Sequence, residues 1–502
     1  MAITTKELGS FFKKKGFIYP SSEIYGGVAG LYDYGHLGTK LKHNFENSWR
    51  KFFLSLNDNF FEIETANIMH GKVFEASGHL KNFYDPLVRC SKCGLLERAD
   101  HFIERELKTR AEGLSSEDYD KLINDNNLKC HKCKSKLLPV TVFNLMFPLE
   151  MGALSANKSY LRPETAQSPY VNFRLQYEMQ RKKLPMGLAL IGRAYRNEIS
   201  PRNLTLRQRE FTQAELQIFF NPDNIVNHPD FESITNVKLR TLMEEDRKKG
   251  EVVERTAIEL VEKHNLPKFY VYHLAKIQQF YFDIMKIPVK KFRLYQLDDK
   301  EKAFYNKYHF DLEIDLTEHG FTEVGGLHYR TDHDLTGHQK VSKQKMEVME
   351  EESGKRFIPH VLELSFGVDR NVYSLLDLGY EEDQERGNVT LNFPRSMTPF
   401  FCAVFPLVKK DENLVAKSRE IYNELKSCYS CVYDAAASIG RRYARQDELG
   451  TKICITVDSQ SLEDDTVTLR ELDSRSQIRV KSSELNNVLY KYYLGEEFEK
   501  LV

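Results

Sequence analysis

Between Ala194 and Arg202 the chain reads AYRNEISPR, and from Arg207 to Glu215 it reads RQREFTQAE. Arginines and carboxylates alternate on both sides of Pro201. Strand side chains switch faces at every residue, so Arg196 and Glu198 share one face, as do Phe211, Gln213 and Glu215. If the two runs pair as a hairpin and these faces coincide, one space receives an arginine, an aromatic ring and two carboxylates. Arg202, Arg207 and Arg209 then crowd the turn. Arginine forks a phosphate through parallel charged hydrogen bonds. A phenyl ring stacks on a purine, and a carboxylate accepts from an exocyclic amine or an ammonium group. Three readings compete on this segment: a nucleotide site, a structural salt-bridge ladder, and a solvated hairpin whose ion pairs are each worth about 0–1 kcal/mol.

A second group lies in HVLELSFGVDR, His360 to Arg370. The strand-like part is apolar except for Glu363 and Ser365, which share a face. Gly367 then opens a helical pattern that carries Arg370 in its first turn. A carboxylate in an otherwise buried strand is costly unless paired, so this is a ligand site or a core ion pair.

Six of the eight cysteines form CxxC pairs. Cys90, Cys93, Cys130 and Cys133 have the spacing of a four-thiolate zinc site, with unliganded thiols as the alternative. Four protein ligands leave no open position, so such a metal would be structural. Lys92, Lys132, Lys134 and Lys136 around it fit either a nucleic-acid contact or a solvated surface. Cys428 and Cys431 lack a partner pair and read as core cysteines. Cys402 and Cys454, in apolar runs, read as buried inert thiols.

The elements that must position these residues follow from periodicity. Leu37, Leu41, Phe45, Trp49, Phe52 and Leu56 recur at spacings of three and four, which predicts one amphipathic helix. The apolar runs on either side of Pro201 predict a hairpin. The charged stretch from Asn221 to about Lys290 reads as a helical insertion. Strands return at Phe321–Tyr329 and His360–Ser365. From Pro394 on, FFCAVFPLV and KICITV predict short buried strands of a separate α/β unit.

The 502 residues suffice for several folding units, and 41% hydrophobic with 12% aromatic residues indicates a globular chain. A formal net charge of −1 supplies no global field for nucleic acid, so any such contact must be local. The N-terminal MAITTKELGSFFKKK lacks the apolar core of a signal peptide, and no run approaches the roughly 18 apolar residues of a spanning helix. The expectation is a soluble, cytoplasmic protein with no membrane partner.

RNEISPR with Arg207-x-x-x-Phe211 resembles motif 2 of class II aminoacyl-tRNA synthetases, and GVDR resembles their motif 3. YDYGHLGTKLKHN, RADH, FNLMF, RPETAQ, REFTQAE, RTDHDL, HVLELSFGVDR and RRYARQDELG, in this order, are similar to glycyl-tRNA synthetases of the dimeric archaeal and eukaryotic type. One departure is Ser168-Pro169, where the family follows ETAQ with glycine and an aliphatic residue. The resemblance implies an α+β class II fold: an antiparallel-sheet catalytic domain with zinc-binding and helical insertions, plus a C-terminal α/β anticodon-binding domain. The boundaries expected are catalytic 1–88, zinc insertion 89–140, catalytic 141–220, helical insertion 221–295, catalytic 296–392 and anticodon-binding 393–502.

It also implies roles. Arg196 would grip the α-phosphate of ATP and Arg370 the γ-phosphate, these two being the catalytic pair. Phe211 would stack the adenine, with Asn197, Glu198, Leu206, Arg207, Glu323 and Val324 also at ATP, Glu198 meeting the adenine amine or the acceptor end and Glu323 holding Mg²⁺. Glycine would meet Arg98, Glu164, Gln213, Glu215, Arg330, Glu363 and Ser365. Arg441, Arg442 and Arg445 would touch tRNA(Gly), and the enzyme would be a homodimer using ATP, Mg²⁺ and structural Zn²⁺. The rival readings are a non-catalytic binding protein on the same scaffold, which should lack the ATP-gripping arginines, and a zinc-ribbon nucleic-acid binder, which explains only the insertion.

Overall fold

A computed structural model of the chain describes residues 3–109, 111, 113–152, 158–303, 305–350, 354–383 and 387–501. Its centre is a nine-stranded sheet. In chain order the strands are β1 (Phe60–Glu62), β2 (Met186–Tyr195), β3 (Glu210–Phe220), β4 (Lys238–Leu242), β5 (Val253–Thr256), β6 (Phe292–Gln296), β7 (Tyr308–Leu316), β8 (Gly320–Thr331) and β9 (His360–Gly367). In space they run β5-β4-β6-β7-β8-β9-β3-β2-β1. Neighbours are antiparallel except for β1 with β2 and β4 with β6.

Alternation gives the central strands two unlike faces. Ala214, Leu216 and Ile218 of β3, Leu362, Leu364 and Phe366 of β9, and Leu327 of β8 belong to the main core. The helix His36–Leu54 lies on this face and buries Leu37, Leu41, Phe45, Trp49 and Phe53. Phe53, not the expected Phe52, takes the inner position, with its ring 4.9 Å from that of Phe366. Side chains of this size contribute about 1.5–3 kcal/mol each when fully buried, which fixes the helix across the sheet. The other face is polar. Registers Glu215↔Ser365, Gln217↔Glu363 and His328↔Glu363 bring charged and amide side chains of three strands together.

Residues 221–295, expected as a mainly helical insertion, hold more helix than strand but are joined to the central sheet. They supply β4, β5 and most of β6, which extend the sheet, with the helices Ala257–Glu262 and Lys268–Gln279 beside them. The charged run between Met243 and His264 is rich in helix formers, but Gly250 turns the chain at φ +68° and VERT pairs with Lys238–Thr241. β5 is an edge strand, where charge is normal and masks the period-two pattern.

The insertion around the CxxC pairs is a separate small unit. Strands Tyr84–Arg89, Leu96–Arg98 and Thr141–Asn144 form a sheet, with helices Ala99–Leu107 and Ser116–Asp125 packed on a core that includes Phe102, Ile103 and Tyr119. Beyond Pro394 comes the expected α/β unit. Its strands β10 (Cys402–Pro406), β11 (Cys431–Tyr433), β12 (Ile453–Val457), β13 (Thr466–Glu471) and β14 (Gln477–Lys481) run β11-β10-β12-β13-β14 in space. Cys402 and Cys454 are buried. Cys428 is exposed and Cys431 half-buried, so the reading of both as core cysteines is corrected. Their CxxC joins the turn after the helix Glu412–Leu425 to the edge strand β11. Among the described residues, no helix is long and apolar enough to cross a membrane.

Candidate active site

The hairpin forms with the faces aligned. Gly192 lies opposite Gln213 and Ala194 opposite Phe211. β2 ends at Tyr195, earlier than the sequence suggested, yet Arg196 N still donates to Arg209 O at 2.9 Å and keeps the register. The Arg196 guanidinium lies over the rings of Phe211 (5.2 Å) and Phe83 (5.5 Å) and donates through Nε to Pro163 O at 3.1 Å. Among the described residues no carboxylate forms an ion pair with it. Ring faces offset only a fraction of a full charge, so this cation is available to an anion.

Arg370, in the first turn of the helix Val368–Gly379, donates through Nε to Leu206 O (3.0 Å) and through Nη1 to Glu323 O (2.9 Å), and pairs with the Glu323 carboxylate at 3.1 Å. Between Arg196 and Arg370 runs a cleft of about 640 Å³ lined by Glu198, Leu206, Arg207, Phe211, Gln213, Val324 and Ser365. Gly326 forms part of its wall. A Cβ there would stand 2.5 Å from His328 Nε2, so only glycine lets that ring lie along the strand. Glu198 is buried and its carboxylate is engaged by Arg207 (Nε 2.9 Å, Nη2 2.6 Å). Arg209 is spent on the carbonyls of Glu198 and Ala29, stapling the turn. Asn197 is fixed by its backbone N–H, which donates to Leu145 O at 2.8 Å.

At the closed end three glutamates converge. Glu215 accepts from Ser365 Oγ (2.8 Å) and Gln213 Nε2 (2.9 Å). Glu363 accepts from Gln217 Nε2 (2.9 Å) and Arg330 Nη1 (3.2 Å) and touches His328 Nδ1. Glu164 accepts from Gln167 Nε2 (2.9 Å), with His79 Nε2 at 3.6 Å and Arg330 Nη2 at 3.8 Å. Their environments divide the charge. Burial, with Glu363 and Glu164 nearby, pushes the Glu215 carboxyl up to about 8. Burial alone would raise Glu363 too, but Arg330 and His328 bring it down to about 2. Glu164 is likewise raised by burial, and the His79 ring and Arg330 outweigh this and hold it well below the usual carboxylate range. Two carboxylates beside a third that ionises on demand favour an ammonium group.

Two of the expected glycine contacts sit differently. Arg330 is buried and committed: it forks Asp334 (Nε 2.8 Å, Nη2 3.0 Å) and reaches Glu363. It organises the carboxylates around it. Arg98 pairs with Asp85 at 3.1 Å and donates through Nε to Asp100 at 3.0 Å, outside the carboxylate cluster and beside the Glu198–Arg207 end. The residues that sequence reasoning missed are His79, Gln167, Gln217, His328 and Asp334. Gln167 and Asp334 lay within the quoted RPETAQ and RTDHDL; His79 gave no signal. The departure at Ser168-Pro169 is accommodated. Pro169 falls in the first turn of the helix Gln167–Met179, where its missing N–H costs nothing. Ser168 Oγ accepts from Arg162 Nη1 at 3.3 Å. Gly192 makes room for that buried arginine, since a Cβ would stand 2.2 Å from Arg162 Nη2.

The four cysteines of the insertion present their sulfurs within 4.8 Å of one another. Cys90–Cys133 and Cys93–Cys130 are 3.4 and 3.6 Å apart. In the C-terminal unit the helix Ile439–Asp447 carries Arg441 and Arg445 outward, Arg445 pairing with Asp434. Arg442 is corrected. It is buried and donates to the carbonyls of Pro406, Ala436 and Ala437, so it braces the loop and cannot reach RNA.

The comparisons agree with this geometry. Residues 153–378 match the tRNA synthetase class II core domain (G, H, P, S and T), and residues 402–492 match an anticodon binding domain. The glycine–tRNA ligase of Pyrococcus furiosus is 39% identical, with 97% of this chain and 99% of that protein aligned. That of Aeropyrum pernix is 36% identical, with 97% of each covered. In fold the chain is similar to a solved structure of the RNA binding domain of threonyl-tRNA synthetase from Cryptosporidium parvum Iowa II. The TM-score is 0.59 at 15% identity, over 96% of this chain and 97% of that one. With a class II core and relatives this similar along nearly their whole length, the chain belongs to the glycine–tRNA ligase family.

Proposed function

We propose that this chain activates glycine with ATP and transfers it to tRNA(Gly). The observation that carries this reading is a cleft lined by Arg196, which among the described residues has no carboxylate ion pair, and by Gln213 and Ser365, which both donate to the buried Glu215 behind them. Glycine's ammonium group replaces the proton of Glu215 and lies among Glu164, Glu363 and Ser365. Its carboxylate is already ionised, so the first step needs no general base. It attacks the α-phosphate of ATP, whose adenine stacks on Phe211, and Arg196 and Arg370 offset the developing charge. Pyrophosphate leaves. The 3′-hydroxyl of the terminal adenosine then attacks the glycyl carbonyl and AMP leaves. Mg²⁺ fits at the outer-phosphate end, where Glu323 stands beside Arg370 and across from Glu313, and bound there it would neutralise the phosphates. Glycine has no side chain, so larger amino acids are excluded by space alone, the easier direction of discrimination.

The test is ATP–pyrophosphate exchange with each of the twenty amino acids. Exchange with glycine alone is expected; exchange with none would reject the reading. The glycine KM should also fall as pH rises from roughly 6 towards 8, because Glu215 must lose its proton to receive the ammonium.

Zinc fits the four-thiolate cluster. Tetrahedral Zn–S bonds of about 2.3 Å put sulfurs about 3.8 Å apart, close to the spacings here. Cys90, Cys93, Cys130 and Cys133 would hold it, and the metal would tie the insertion's two knuckles. One equivalent by elemental mass spectrometry is expected, with loss of the metal and rapid proteolysis between residues 89 and 140 in Cys130→Ser. Metal-free, protease-resistant protein would sink the assignment.

A homodimer is supported by an exposed apolar stripe, Val171, Leu175 and Met179, near the exposed Phe61 of the edge strand β1. Sedimentation of Leu175→Glu checks it: a variant that stays dimeric removes this face as the interface. Arg441 and Arg445 are the remaining candidate anticodon-arm contacts.

A further inference from the structure

Gln167 opens the helix Gln167–Met179 and is completely buried. Its two amide protons are both used, one on Glu164 Oε1 at 2.9 Å and the other on Asp334 Oδ1 at 3.0 Å. Its carbonyl oxygen lies 3.0 Å from His338 Nε2. Only one orientation satisfies all three contacts. Turned over, the amide would set an oxygen against two carboxylates. Asp334 forks Arg330, and Arg330 reaches Glu363. An unbroken line of buried side chains therefore joins Glu164, on a loop, to Glu363, on β9.

We propose that Gln167 is a positioning residue for the amino-acid end of the site. Acting with Asp334, it fixes Glu164 at the distance from Glu363 that an ammonium group requires. The inference rests on the glycine-activation reading above. Glu164 is the one member of the trio not on a strand, so its position is the least determined by the sheet. Its neighbours are His79, Arg330 and Gln167. His79 and Arg330 stand at 3.6 and 3.8 Å and attract without directing. The Gln167 bond is short and directional, and its donor is held on the far side by Asp334 and His338. Binding geometry within a few tenths of an ångström needs such support.

The test uses the full-length enzyme in glycine-dependent pyrophosphate exchange. Gln167→Ala is expected to raise the glycine KM about 10- to 100-fold, the worth of one or two hydrogen bonds to charged groups, with the ATP KM unchanged. Gln167→Glu keeps the shape and separates positioning from packing. Ionised, its carboxylate meets those of Glu164 and Asp334, with Arg330, His79 and His338 as the nearby cationic or basic groups and Glu215, Glu363, Tyr170 and Tyr305 as the further titratable ones. Protonated, it donates again. Because Glu215 must still lose its proton, the glycine KM of this variant should rise less than that of the wild type as pH is lowered from about 8 to about 6, the regained bond from the protonated side chain offsetting part of the loss. An unchanged glycine KM in Gln167→Ala, equal losses for ATP and glycine, or a wild-type pH trend in Gln167→Glu would each overturn the proposal. Wild-type enzyme that fails to exchange with glycine would reject the activation reading itself, and would be seen separately.

Discussion

Arg196→Ala is expected to lower glycine-dependent pyrophosphate exchange by about 10³-fold, the scale on which a preorganised charge stabiliser acts, while leaving the fold intact. The reason is its setting. Most arginines around the site have internal work: Arg330 holds Asp334 and Glu363, Arg207 holds Glu198, and Arg209 staples the turn. Arg196 makes one hydrogen bond, to Pro163 O, and otherwise lies between two rings. Removing it strands no buried carboxylate, so the stability loss should be small, and the thermal midpoint should stay within a few degrees. The loss should appear in kcat more than in the glycine KM, because the guanidinium meets charge that develops on the phosphate. Near-wild-type exchange in the variant would remove Arg196 from the mechanism. A large fall in stability would show instead that the two rings depend on it.

What was legible in the sequence was what strand alternation decides. Phe211, Gln213 and Glu215 had to share a face, as did Glu363 and Ser365, and the sheet needed only to bring β3 beside β9. The thiol quartet was legible because CxxC spacing is local chemistry. Other features had no local signature. Asp334 meets Arg330 only because the chain turns from β8 into the helix His333–Ser342, which sets a strand residue and a helix residue face to face. His79 reaches Glu164 from the start of the short helix His79–Asn82, far away in the chain. The edge strand β5 was hidden by the charge that an exposed edge carries, and its neighbour β4 with it. Arg442 was misread because three arginines on one short helix look alike. The helix turns Arg442 and Gln446 inward while Arg441 and Arg445 stay out.

Arg330→Ala should be the most damaging single change to stability, costing about 3–5 kcal/mol, as expected when one partner of a buried ion pair is removed. It would leave Asp334, Glu363 and Glu164 in the interior without their shared cation. The sign of the pH dependence identifies the cause. In the wild type Glu363 is held at about 2, below its ordinary 4.5. It therefore contributes stability above pH 4.5 that is lost as pH falls towards 2. Without Arg330, burial and the neighbouring carboxylates drive Glu363 the other way. A carboxyl raised in the folded state contributes stability at low pH that is lost as pH rises through its folded value. The deficit of the variant should thus be smallest towards pH 2, already substantial at pH 4.5 and largest near pH 8. Trp49, the only tryptophan, is buried with its ring 6.0 Å from that of Phe366 on β9, so denaturation followed by its fluorescence reads this unit directly. The double variant Arg330→Ala/Asp334→Ala should regain part of the loss at pH 8, because it strands one carboxylate fewer. A deficit that stays flat between these pH values, or strictly additive variants, would mean that Arg330 stabilises by packing between Tyr170 and Tyr305 and not by charge.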